Sequence, residues 1–427
     1  MSSLVLSFSI LCLSSVSILA ENDCEFDERT YAQSTLSGGS CTRDVKVIDV
    51  DLDGNLDVLI ANVSTSSLAL YTGTGYGDFN PAVEIALSGE PRGIAVGDVN
   101  SDGRPDVVVV SYARDSVEVL LSDQQHLLVQ SEVLTVDNEP EWIHLSDINE
   151  DGHLDIATAN YSGRSASLLI GVGDGSFYAE QRIDHGMAST SITSTDLNHD
   201  GYTDLICGGG GSNKRIRILM GDALGEYVEQ HDVSTRGGIS YVGTEDFDQD
   251  GNQDIAVLSA SYSRLEIYYG DGMGGYESSI ELSTGSVPTH AVLKDINGDS
   301  RIDIVVANSR SVPGGEGLEV FLAEPGRAFT PRFSIQEARS TAHKFDVADF
   351  NDDGVLDFVY TQWCASTGYI MLGVCPEQCG PDLNNDGQVN STDVEQFLAD
   401  LPDYNGDGAF NFFDVSNFLA ELREGCG

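Results

Sequence analysis

Along most of the chain, short runs rich in Val, Ile and Leu alternate with strings of Asp, Asn and Gly. One string recurs: an apolar run, then D-x-[DN]-x-D-G-x-x-D, then a second run rich in β-branched residues. It starts at Asp49, Asp98, Asp147, Asp196, Asp246, Asp295 and Asp349, spaced by 49 or 50 residues, with 54 for the last. Each unit holds four such runs, which in the third are 142–147, 155–159, 166–171 and 177–183. A glycine-rich turn separates the third run from the fourth, as in Gly171-Val172-Gly173-Asp174-Gly175-Ser176-Phe177 and Gly270-Asp271-Gly272-Met273-Gly274-Gly275-Tyr276. Short β-branched runs bounded by turn residues read as strands. Four strands per repeat of about 50 residues is the signature of a propeller blade. The pattern therefore predicts an all-β, seven-bladed β-propeller over residues 21–374.

The seventh unit runs out after its third strand, 369–372, while 26–36, ahead of the first unit, resembles fourth strands such as 79–87. The N-terminal segment is expected to supply the outer strand of the last blade and close the ring, removing the sheet edges an open array would expose. Closure places Cys24 with Cys375 at one end of that strand and Cys41 with Cys364 at the other, and these are the expected disulfides. A bridge from Cys24 to Cys41 would join opposite ends of one strand, beyond the roughly 7 Å that a disulfide tolerates between Cα atoms. Cys207, inside a strand of the fourth unit, is expected to be a buried free thiol.

In the first loop Asp49, Asp51, Asp53 and Asp57 stand at positions 1, 3, 5 and 9, with Gly54 at position 6 for the sharp turn. The equivalent sets are Asp98, Asn100, Asp102, Asp106; Asp147, Asn149, Asp151, Asp155; Asp196, Asn198, Asp200, Asp204; Asp246, Asp248, Asp250, Asp254; Asp295, Asn297, Asp299, Asp303; and Asp349, Asn351, Asp353, Asp357. Alternate side chains of a tightly curled loop point inward and converge their oxygens. So many carboxylates require a hard cation to offset their repulsion. Calcium suits an all-protein oxygen cage better than magnesium, which keeps several waters, so up to seven Ca2+ are expected in the ring. The alternative is that some loops are plain turns whose Asp and Gly serve turn geometry alone. The sixth loop departs most, with Ser300 in place of the glycine, and is expected to bind weakly or not at all.

The 69 acidic residues against 21 Lys and Arg leave a formal charge of −48. That excludes nucleic acid and an anionic membrane surface as partners. The seven loops hold 23 of the 69 carboxylates at these positions, so bound cations would return part of the charge. Residues 1–20 are uncharged and apolar and end in Ser17-Ile18-Leu19-Ala20, which reads as a signal peptide cleaved before Glu21. The rival is an uncleaved anchor, since about 20 apolar residues can span a bilayer. A secreted or cell-surface protein with no span after cleavage is expected, a setting in which disulfides form.

The loops, with glycine turns followed by Phe or Tyr, resemble the FG-GAP (VCBS) repeats of integrin α-chain propellers and seven-bladed fungal lectins, from Phe26 to about Val374. The resemblance implies calcium beneath the ring, partner contacts on the opposite face, and adhesion or carbohydrate binding rather than catalysis.

After Cys379 the pattern changes to two 12-residue loops, Asp382, Asn384, Asp386, Asp393 and Asp403, Asn405, Asp407, Asp414, each followed by an apolar stripe at helical spacing. Two further Ca2+ are expected in this domain, 375–427. Duplicated loops ending in Asp, with one following helix each, resemble a dockerin of the cysteine-bounded variant. That implies a Cys379–Cys426 bridge and a cohesin-like or cell-envelope partner met by Ser391, Thr392, Phe412 and Phe413.

The eight histidines form no H-x-x-x-H pair and no nucleophile motif is present, so no catalytic residues are expected. A ligand site is sought five residues before each first loop Asp, at Asp44, Gly93, Trp142, Ser191, Tyr241, His290 and Lys344, near the ring opening opposite the loops. A single composite site of Trp142, Tyr241 and His290 is one reading; Trp142 packing between blades is the other. The chain is read as an exported calcium-binding scaffold for a protein or glycan ligand. A lectin-like component of a polysaccharide-degrading assembly comes second, and a propeller-fold hydrolase or lyase third.

Overall fold

The structure, a computed structural model, describes residues 30–37, 41–123, 127–309, 317–330, 333–335 and 342–374. The expected leader at 1–20, Cys24, Cys375, the expected Cys379–Cys426 pair and the expected module at 375–427 with its loops and contact residues lie outside the described residues.

Seven four-stranded antiparallel sheets follow one another along the chain as blades. Blade 3 consists of Pro140–Ser146, Asp155–Asn160, Ser165–Leu169 and Gln181–Asp184, from the inner strand outward. Second strands such as Asp106–Ser111 are buried at every position. Blades stack face to face, so a central strand has no solvent side, and an unbroken apolar run such as Val107 to Val110 suits it. The core accordingly lies between blades: Val108, Val110, Val117 and Val119 of blade 2 pack with Ile143, Ile156 and Leu169 of blade 3.

Blade 7 combines Ala342–Ala348, Asp357–Gln362 and Thr367–Val374 with the N-terminal strand Thr30–Ser37. The two chain ends pair antiparallel from Thr30 opposite Val374 to Ser37 opposite Thr367. Tyr31 packs edge-on against Phe358 at 5.5 Å, so the closing strand also adds to the core. The Cys41–Cys364 disulfide lies where closure requires it, and Thr42 N–H donates to the Ala365 carbonyl at 2.9 Å alongside. Cys207 is buried and free.

Two details differ from the pattern. The outer strand of blade 3 begins at Gln181 rather than Phe177, because Phe177 is engaged in a bridge to Gly171 that closes the glycine turn. In blade 6 a ribbon of Ala323–Glu324 with Ala328–Phe329 intervenes, and the outer strand shrinks to Phe333–Ile335. Helix among the described residues is confined to the 3-10 turns Tyr112–Arg114 and Ala260–Tyr262, and no described helix is long and apolar enough to cross a membrane.

All seven inner strands slip register at the same place, their entry: between Pro140 and Trp142 in blade 3, Ile239 and Tyr241 in blade 5, Pro288 and His290 in blade 6, and Ala342 and Lys344 in blade 7, with counterparts in blades 1, 2 and 4. A bulge re-aims the side chains beside it. Here it sets which residues face the ring centre.

Candidate functional site

The acidic loops follow the inner strands and share one conformation. Gly54 has φ of 91° and would meet nothing within 4 Å if it carried a Cβ, so the glycine serves backbone conformation and not space. In the first loop one Asp49 oxygen accepts the Gly54 N–H at 3.0 Å; the other, together with Asp51, accepts the Asp53 N–H at 3.2 Å; and Asp53 accepts the Asn55 N–H at 2.8 Å. The sixth loop achieves the same turn with Ser300 at φ of 66°. A left-handed non-glycine residue costs about 1 kcal/mol, so Ser300→Gly is expected to raise stability by about that much in thermal melts; an unchanged or lower melting temperature would count against it.

The ninth position does more than the sequence specifies. Asp57 is buried, one oxygen accepting the Val50 N–H at 2.9 Å within the loop and the other the Gly73 N–H at 2.8 Å in the glycine turn. Asp106, Asp155, Asp204, Asp254, Asp303 and Asp357 repeat this clamp on the same two turns of their own blades. Burial pushes Asp57, Asp106, Asp204, Asp254 and Asp303 up to about 6 and Asp357 to about 8, against the pull of those N–H donors. One lone pair per oxygen is left for a cation.

Carboxylate oxygens of Asp49, Asp51 and Asp57 lie within 4.8 Å of one another, as do those of Asp246, Asp248 and Asp254. These are the two loops with Asp rather than Asn at position 3. An oxygen-only donor set converging this closely fits a hard divalent cation. Arginines already neutralise some loops: Arg104 reaches Asp102, Arg301 reaches Asp299 at 2.5 Å, and Arg327 from blade 6 reaches Asp248 and stands 3.5 Å from Asp250. The seven loops are therefore not equivalent.

At the opposite end of the inner strands, Trp142, Tyr241 and His290 come together. Ring centroids are 5.8 Å apart for Trp142 and Tyr241, 5.7 Å for Trp142 and His290, and 5.5 Å for Tyr241 and His290. Blades 3, 5 and 6 are not mutual neighbours, so these rings meet across the central hole. Lys344 of blade 7 places its Nζ 3.5 Å from the Trp142 ring centroid. Asp44 accepts the Val45 and Ile94 N–H groups at 2.9 and 2.8 Å, and Ser191 Oγ accepts the Val242 N–H at 3.0 Å. Gly93 also lines the hole, under Ile143. Trp142 packs in addition against the core between blades 3 and 4, so the inter-blade role and membership of the axial cluster coincide in one side chain.

The repeat framework is now complete enough to compare. The FG-GAP-like repeat family matches residues 49–109, 147–207, 196–257, 246–306 and 295–360, more than half of the chain. The chain belongs to the FG-GAP repeat family. Among solved structures, BBS1N in complex with ARL6DN aligns with a TM-score of 0.56 at 13% identity, over 81% of this chain and 97% of that one. A functionally unknown protein from Desulfotomaculum acetoxidans DSM 771 aligns with a TM-score of 0.51 at 12% identity, over 71% and 88%. These likenesses establish the propeller fold. No curated protein matches the sequence.

Around the axial rings of this FG-GAP propeller stand residues the sequence did not single out. Glu141 pairs with Arg43 at 3.3 Å and Arg92 at 4.0 Å. Arg43 lies 3.8 Å from the Trp363 ring centroid, against which His343 also packs at 4.6 Å. The available signal was a polar residue directly before or at each entry position of blades 7, 1, 2 and 3. Burial lowers the Arg43 guanidinium to about 10 and holds His290 and His343 well below the usual imidazole value.

Burial also lowers Lys344 to about 7, partly opposed by Asp44 and reinforced by Lys46 and Arg43. A depressed lysine means that above pH 7 the unfolded chain holds a proton the folded one lacks. Stability from this group is therefore full above 10.5 and lost as pH falls to about 7. Relative to Lys344→Met, the wild type should gain about 2 kcal/mol between pH 7 and 9 in denaturant titrations. Parallel pH profiles for the two proteins would contradict this.

Proposed function

We propose that this FG-GAP propeller is an exported, calcium-stabilised binding scaffold that works through the axial end of the ring and is attached through its C-terminal dockerin-like module. The observation that carries this is the division between the two ends of one rigid ring. Carboxylate sets suited to divalent cations fasten one end, while the other gathers aromatic and cationic side chains from several blades around a closed centre. We read the role of that gathering as binding. Calcium in the loops would hold the turns at one end and leave the axial end free for a partner. The solved BBS1N propeller is in complex with ARL6DN, which supports reading this fold as a platform for protein contacts.

A glycan ligand, as in a lectin-like part of a polysaccharide-degrading assembly, is favoured by Trp363, whose exposed ring lies against Arg43 at the same end. Immobilised full-length protein, saturated with calcium, is to be tested against surface proteins of its own cells and a polysaccharide panel. Saturable protein binding weakened by Trp363→Ala and Arg43→Ala supports the scaffold reading. Binding confined to polysaccharide transfers it to the lectin reading, and binding to neither overturns both.

A further inference from the structure

At the bulge of each inner strand, blades 4, 5 and 6 place a hydroxyl that clamps the next blade. Thr190 donates to the Ile239 carbonyl at 2.7 Å, Ser240 to Pro288 at 2.6 Å and Thr289 to His343 at 2.7 Å. Blades 7, 1, 2 and 3 break this series with His343, Arg43, Arg92 and Glu141. Three blades thus replace a neutral structural contact with the charged Arg43, Arg92 and Glu141, and that charge faces one end of the axis.

These groups border a cavity of about 30 Å³ beside Trp142, whose polar lining is Asp44, Lys46, Arg92, Glu141, His290 and Lys344. That is room for a carboxylate-sized group, since about 10–15 Å³ on this measure holds one water. Among the described residues neither Lys46 nor Lys344 has a carboxylate within ion-pair distance, and these are two of the four lysines in the sequence. Arg92 Nε and the Nδ1 of His290, a side chain 95% buried by its 5% exposure, have no hydrogen-bond partner. The carboxylates present have partners of their own: Asp44 accepts two backbone N–H groups, and Glu141 pairs with Arg43 and Arg92. The three lining cations outnumber the two lining carboxylates, Asp44 and Glu141, and an anion would offset the cation left over.

We propose that the axial cavity is an anion site that takes a carboxylate, held by Lys46, Arg92 and Lys344 beside Trp142. This rests on the reading of the axial end as the binding face and gives its ligand a chemistry. It also explains how so acidic a protein engages an acidic partner, through a cavity whose lining holds three cationic side chains against two carboxylates.

The chain has two tryptophans, Trp142 and Trp363, and both lie at this site, so intrinsic fluorescence reads it directly. Full-length, calcium-saturated protein is titrated in chloride-free buffer, at ionic strength held constant with methanesulfonate, with sodium acetate, a hexaglutamate peptide, or acetamide as neutral control. The expected result is a saturable change with acetate or the peptide, none with acetamide, and at least tenfold weaker binding in Lys344→Met and Lys46→Met. Either variant keeps the aliphatic stem, and folding is checked by circular dichroism. Tighter binding of the peptide identifies an acidic protein segment as the source; tighter binding of acetate identifies a free small acid. No saturation with either, or wild-type affinity in both variants, overturns the site. Because calcium stays saturating and no natural partner is involved, that result leaves the scaffold reading to be decided by the capture experiment.

Discussion

Chelating calcium is expected to lower the melting temperature of the full-length protein by roughly 10 °C. The first loop brings oxygens of Asp49, Asp51 and Asp57 within 4.8 Å of one another, and the fifth does the same with Asp246, Asp248 and Asp254. Without a cation these charges repel, and the buried Asp57 and Asp254 are pushed up to about 6 by desolvation, with their loop carboxylates adding to it. An ion that binds only the folded loop adds about 2.7 kcal/mol at a hundredfold excess over its dissociation constant. Two such loops alone therefore supply about 5 kcal/mol. Calorimetric scans in calcium and in EDTA measure the difference, and coincident transitions would remove calcium from the account.

Replacing Cys41 and Cys364 by serine is expected to cost about 5 kcal/mol, because the bridge closes a span of 323 residues and constrains the unfolded chain strongly. The loss falls on a seam that is otherwise held by eight residue pairs between Thr30–Ser37 and Thr367–Val374 and by the Gln33 to Tyr360 hydrogen bond at 2.6 Å. With the bridge gone the closing strand should become the first part to open. Limited proteolysis should then release the N-terminal segment while blades 2 to 5 stay intact. Equal denaturant midpoints for the two proteins, with no early cleavage, would mean that strand pairing alone closes the ring.

The blades were legible because their loops repeat at nearly constant spacing, and ring closure followed from a missing fourth strand matched by an orphan first one. The Cys41–Cys364 pair came with it. The clamp made by the ninth aspartate was hidden, since a buried acceptor of two N–H groups and a cation ligand call for the same residue type. The bulges were hidden too: a one-residue slip leaves no mark in an alternating pattern, yet it brings Lys344 over Trp142 and sets Arg43, Arg92 and Glu141 side by side. Trp142, Tyr241 and His290 were legible as a set because they occupy one repeat position in a ring, so any large side chains there must meet at the centre. Lys344 and Asp44 share that position, whereas Arg43, Arg92 and Glu141 lie at the neighbouring one, which carries Thr190, Ser240 and Thr289 in other blades and so shows no common residue type.

The most direct test is a calorimetric calcium titration of the chelator-stripped protein, in parallel with a variant carrying Asp51→Ser and Asp248→Ser. The account predicts saturable calcium binding by the wild type at two or more propeller loops, with magnesium competing poorly and the variant losing the sites of the first and fifth loops. A wild type that takes up no calcium beyond what the variant binds would contradict it.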